Sequence, residues 1–211
     1  MYGALRRWFI PRPPEQVAST YIALVAAARN PFFYTDLTVP DTLDGRFELI
    51  VLHLFLLQHR LVADGAVRSE DGPSEPERSE RGGAVAGGVF APTREAQQSF
   101  AQFLSEAFFA DMDRSLRELG VADTGVSHRI RKMGKAYHGR LQAYAAGLGD
   151  ATNLRAALAR NLYGTVADGD VNALDRLARY VEKTSAALAT TDTATITDAR
   201  YTWPDVSAVL A

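Results

Sequence analysis

Cysteine is absent from this 211-residue chain, which excludes disulfides and thiolate-held metals and permits a reducing compartment. Charge of one sign is also scarce. The 23 Lys and Arg against 25 Asp and Glu leave a net charge of −2, so nothing global asks for a nucleic-acid partner. No apolar run approaches the roughly 20 residues that a membrane span needs. The opening MYGALRRWFIPRPPEQ lacks the apolar core of about 7–15 residues and the small-residue cleavage site of a secretory signal. It has no serine before Ser19 and meets Pro11, Pro13 and Pro14 early, unlike an organelle transit peptide. Residues 1–13 read as an arm in which Trp8, Phe9 and Ile10 pack on the domain. The alternative is that Arg6, Arg7 and Arg12 touch an anionic membrane surface.

What is present is 47% hydrophobic and 23% charged, ordinary for a globular domain with a real core. The key segment, RFELIVLHLFLLQHRL, opens at Arg46 and is apolar from Leu49 to Leu57 except at His53. A helix with no polar face belongs in the middle of a bundle. The loop before it, Phe32–Gly45, concentrates aromatics, prolines and aspartates, with Asp44 as the expected cap of a helix over 46–61. Ahead of the loop, Val17, Tyr21, Leu24, Val25 and Ala28 predict a helix over 15–29, ended by Asn30-Pro31.

Residues 64–92 break the pattern, with six glycines, three prolines, six acidic and three basic residues. Such a composition cannot offset its own ordering entropy and reads as a disordered insertion. Its glycine pairs follow no strand and precede no GK[ST], which argues against a phosphate loop. Thr93 then caps a helix to about Leu119, with Gly120 at C′. Three more helices follow, over Val126–Leu148, from Asp150 or Thr152 to Tyr163, and from Asp168 or Asp170 to Thr190. The tail 191–211 has β-prone residues and a Trp203-Pro204 anchor without an evident partner. The expectation is an all-α fold: a single bundle of about six helices over 14–190, with a flexible insertion and a tail.

Chemistry is sparse. His53 and His59 are six apart, His128 and His138 ten apart, and no HExxH occurs, so His53 reads as a core histidine satisfied by a polar neighbour. Asp111 and Asp113 form a DxD in FFADMDRSLRELG that is similar to one magnesium motif of isoprenoid synthases. Residues two apart on a helix do not face each other. Pairing of Asp111 with Arg114 and of Asp113 with Arg117 is the simpler expectation. No nucleophile, base and orienting group assemble in any known pattern. The 126–148 helix carries His128, Arg129, Arg131, Lys132, Lys135, His138 and Arg140 with no carboxylate between Asp123 and Asp150. That asymmetry suits RNA or a ribosome, anionic lipid or an acidic partner, or else is answered by a neighbouring helix.

Two blocks, FYTDLTVPDTLDGRFELIVLHLFLLQHRL and FFADMDRSLRELGVADTGVSHRIRKMGKAYHGR, resemble the ubiquinol–cytochrome c chaperone family, which assembles the cytochrome bc complex. The resemblance implies a non-enzymatic all-α chaperone without cofactor. It also implies that the client is newly made cytochrome b or another bc-complex subunit, with a small helper protein and the ribosome as further partners and no DNA. The absent transit peptide suggests a bacterial, cytoplasmic member, peripheral at the inner face of the membrane. The matching positions, joined to the nearby aromatics, give a candidate partner surface: Phe33, Tyr34, Asp36, Asp41, Asp44, Arg46, Phe108, Phe109, Asp111, Asp113, Arg114, Arg129, Arg131, Lys132 and Arg140. Two competing functions are an RNA- or ribosome-binding protein using 126–140 and an all-α enzyme acting on isoprenoid diphosphates.

Overall fold

A helix that is apolar all round needs neighbours all round, and α3 (Leu43–Val67) has them. In the computed structural model, which describes residues 13–67, 93–164 and 170–211, every residue from Leu49 to Leu57 is at most 3% exposed, His53 included. Against α3 pack α1 (Glu15–Ala28), α4 (Arg94–Glu118), α5 (Asp123–Gly147), α6 (Ala151–Leu162), α7 (Val171–Ala189) and α8 (Thr193–Thr197). Two further short helices, α2 (Phe32–Thr35) and α9 (Val206–Leu210), bring the number among the described residues to nine, with no strand. The all-α expectation holds. None of these helices is long and apolar enough to cross a membrane. The N-terminal arm and most of the 64–92 insertion lie outside the described residues.

Three polar side chains on α3 find partners inside the bundle. The Nδ1–H of His53 donates to the Leu49 carbonyl at 2.7 Å, so Nε2 is left to accept from the Tyr180 hydroxyl at 2.9 Å. Burial then pulls the imidazole down to about 4 and keeps it neutral. Gln58 ties three helices together. Its amide nitrogen donates to the Ala101 carbonyl and Ser105 Oγ, and its carbonyl accepts from Tyr137 at 2.8 Å. The Arg60 guanidinium donates to the carbonyls of Leu188 and Thr191, satisfying the C-terminus of α7.

Most helix starts sit where the capping residues place them. Thr93, Asp150 and Asp170 each accept hydrogen bonds from the first backbone amides of α4, α6 and α7. Five details differ from expectation. Thr42, not Asp44, caps α3, its hydroxyl accepting from the Gly45 amide at 3.1 Å. Helix α3 runs on to Val67, and α5 begins at Asp123, before Val126. The loop after Asn30-Pro31 contains the helical turn α2, which carries Phe33 inward. Finally, residues beyond Thr190 are part of the core: Ile196 is fully buried, Val206 is 2% exposed, and Trp203 lies edge-on to His53 at 4.9 Å.

Candidate functional site

The expected surface residues divide when folded. Phe33 is fully buried, with its ring edge-on to His53 at 5.5 Å and to Tyr180 at 5.2 Å. Phe108 is also fully buried, packed on Phe47 and stacked on Tyr137 at 5.6 Å. Both are core residues and are corrected from the docking surface, because apolar rings that close helix contacts are worth more inside than exposed. Tyr34 and Phe109 are half-buried against that core. Asp36 is exposed, and its backbone carbonyl accepts from Arg176.

The acidic pair on α4 is divided between structural partners. Asp111 accepts from the Tyr21 hydroxyl at 3.0 Å and lies 3.7 Å from Arg114, which joins α1 to α4. Burial, with the charge of Asp111 beside it, pushes the Tyr21 hydroxyl far up, so it stays a donor. Asp113 pairs with Arg117 at 2.7 Å, and Arg117 also reaches Asp123 across the α4–α5 turn. The two carboxylates therefore point to different places, and no cluster of three metal-ligating side chains occurs among the described residues.

The remaining candidates converge. Asp44, Arg46, Arg129, Lys132 and Arg140 line one groove of about 580 Å³ between the start of α3, the end of α4, the middle of α5 and the end of α6. Arg131, two residues from Arg129, points elsewhere, to the Ser127 carbonyl. The floor is apolar: Phe47, Ile50, Met112, Leu116 and Met133. At the mouth stand Leu43 and Leu119, 53% and 63% exposed, two of the five large apolar side chains exposed among the described residues. Sequence reading misses both leucines, along with Arg29, Glu48 and Arg160, which also line the groove. Exposure is the signal for the leucines, and it exists only after folding.

Electrostatically the groove is cationic. Arg46 is engaged by Asp41 at 2.7 Å on the exterior. Arg140 spends its charge on Glu48, which is 4% exposed, and also lies 5.9 Å from the Phe47 ring. Burial raises the Glu48 carboxyl above the usual range while the Arg140 hydrogen bond opposes the rise. Arg29, Arg129, Lys132 and Arg160 are exposed and have no carboxylate partner among the described residues. Four unanswered cations and two exposed leucines around an apolar floor make a surface suited to holding another molecule. A smaller cavity of about 290 Å³ between α3 and α7 differs, because its one arginine, Arg60, is committed to backbone carbonyls.

Comparison with known proteins places this architecture. Residues 35–203 match the family model described as ubiquinol-cytochrome C chaperone. Among solved structures, the crystal structure of the Cbp3 homolog from Brucella abortus is similar, with 33% identity and a TM-score of 0.67. The match covers 91% of this chain and 90% of that one. No curated protein matches significantly. The family match takes in both sequence blocks apart from Phe33 and Tyr34, the whole groove except Arg29, and α8 of the C-terminal region. The chain therefore belongs to the ubiquinol–cytochrome c chaperone family.

Proposed function

We propose that this protein is a non-catalytic chaperone that holds newly made cytochrome b, or another bc-complex subunit, while the ubiquinol–cytochrome c reductase is built. The observation that carries this reading is the groove. It offers exposed leucines and cations without carboxylate partners around an apolar floor. A client made for a membrane has apolar surface to shelter before it is assembled, and a rigid receptor captures it without first ordering itself. The work is done where the client emerges, at the cytoplasmic face of the membrane.

Deleting the gene in its source cell and recording reduced-minus-oxidised spectra of the membranes tests this. The b-type haem signal of the bc complex falls while other cytochromes persist. Normal assembly of the complex in the deletion strain would sink the proposal. A second reading, RNA or ribosome binding, draws support from the outer face of α5, where His128, Arg131 and Lys135 are exposed. Filter binding against salt separates the two: tight RNA binding with a steep salt slope favours the second.

A further inference from the structure

We infer that the groove receives an amphipathic helix whose apolar stripe is flanked by carboxylates. This rests on the chaperone reading and names the chemistry of what is held. The wall formed by α5 contributes Arg129, Lys132 and Arg140. Glu48 already takes the charge of Arg140, so Arg129 and Lys132, within one turn of each other, are the unanswered pair on this wall. Further unanswered cations come from other directions, Arg29 after α1 and Arg160 on α6. A single head group, such as that of a lipid or a free phosphate, satisfies one end of such an arrangement and leaves the rest. An occupant with acidic groups spaced along its length answers all of it.

The backbone around the groove narrows the choice further. Its walls are helices and no strand occurs among the described residues, so no open strand edge is available for an extended peptide to join. Recognition therefore runs through side chains. Leu43 and Leu119 at the mouth and Phe47, Ile50, Met112 and Leu116 below meet the apolar stripe of a docked helix at i, i+3, i+4 and i+7. The groove's own acids do not compete strongly. Glu48 is buried and paired with Arg140, which leaves Asp44 as the one carboxylate in the lining without an ion-pair partner among the described residues. Asp44 would face the positive end of the docked helix or a gap in its acidic flank.

The test uses the full chain and a fluorescent peptide of about 14 residues with leucines at i, i+3, i+4 and i+7 and glutamates on both flanks. Binding is read by anisotropy. The wild-type protein binds this peptide, and added salt weakens the complex. Arg129→Glu with Lys132→Glu weakens it about tenfold or more and gains affinity for the same peptide carrying lysines in place of the glutamates. Leu119→Asn independently weakens the glutamate peptide, so the inference stays testable if the double variant fails to fold. Equal affinity for a scrambled peptide of the same composition overturns the inference. So does binding unchanged in the variants, or binding of anionic phospholipid vesicles through Arg129 and Lys132 when the peptide does not bind. Failure here alongside loss of the b-haem signal in the deletion strain removes only the helical occupant. A normal b-haem signal removes the chaperone reading itself.

Discussion

His53 is a titratable group placed where no charge is welcome. Both ring nitrogens are used while it is neutral, one donating to Leu49 and one accepting from Tyr180. Its folded value of about 4 lies below the usual 6.5, so the sign of the linkage is fixed. Above pH 6.5 the imidazole is neutral in both states and the fold keeps its full stability. As pH falls below 6.5 the unfolded chain takes up a proton that the folded chain refuses, and stability drops until the folded ring titrates near 4. The loss across that window is on the order of 3 kcal/mol. Urea unfolding at a series of pH values checks it, and His53→Gln should flatten the slope while lowering stability at neutral pH. An unchanged slope in the variant would assign the acid sensitivity to other groups. The same residue shows what sequence permits: a lone histidine among otherwise apolar positions is legible as a core group, whereas its partner 127 positions away is not.

At the scale of elements, the legible parts are those set by local chemistry. Thr93 caps α4 as the sequence assigns it, and Asp150 and Asp170, each one of two candidates in the sequence, cap α6 and α7, since a cap is decided within about three residues. Around residue 42 the local signal is ambiguous, with Asp41, Thr42 and Asp44 all able to cap, and a close backbone approach decides. A side chain at Gly45 would meet the Pro40 carbonyl oxygen at 2.0 Å, so the chain folds back over α3 only because glycine stands there. Gly45→Ala must move the Pro40 backbone, and a cost of about 1–3 kcal/mol follows. The shift also pulls Asp41 from Arg46 and opens one edge of the groove. Thermal melting reports the first effect and weakened binding of the glutamate peptide the second. An alanine variant with wild-type melting would show that the loop has room the structure denies it. Phe33 is misread from sequence for a related reason: an aromatic pair between prolines looks like surface until α2 turns one ring inward.

At the scale of the whole molecule, the groove is half legible. The run of positive charge in α5 is local and stands out in the sequence, but its meeting with Arg29, Arg160, Leu43 and Leu119 depends on how the helices pack. The C-terminal region makes the same point about the core. A threonine-rich stretch with no periodicity gives no local hint of where it goes, yet Ile196 fills the bundle interior and Val206 covers its edge. The contacts are polar as well: Thr20 donates to the Ile196 carbonyl at 3.3 Å, Gln97 donates to Thr193 at 2.9 Å, and Arg60 donates to the Thr191 carbonyl. Removing everything after Thr190 exposes the surfaces that Ile196, Trp203 and Val206 cover. At about 1.5–3 kcal/mol for each large apolar group, the loss is roughly 5 kcal/mol, comparable to the entire stability of many domains. The truncated chain should therefore lose its cooperative melt in circular dichroism while keeping some helical signal, and a synthetic peptide of residues 191–211 supplied in excess should restore part of it by mass action. If the truncated protein melts as sharply and as late as the full chain, the tail is an accessory and the bundle closes without it.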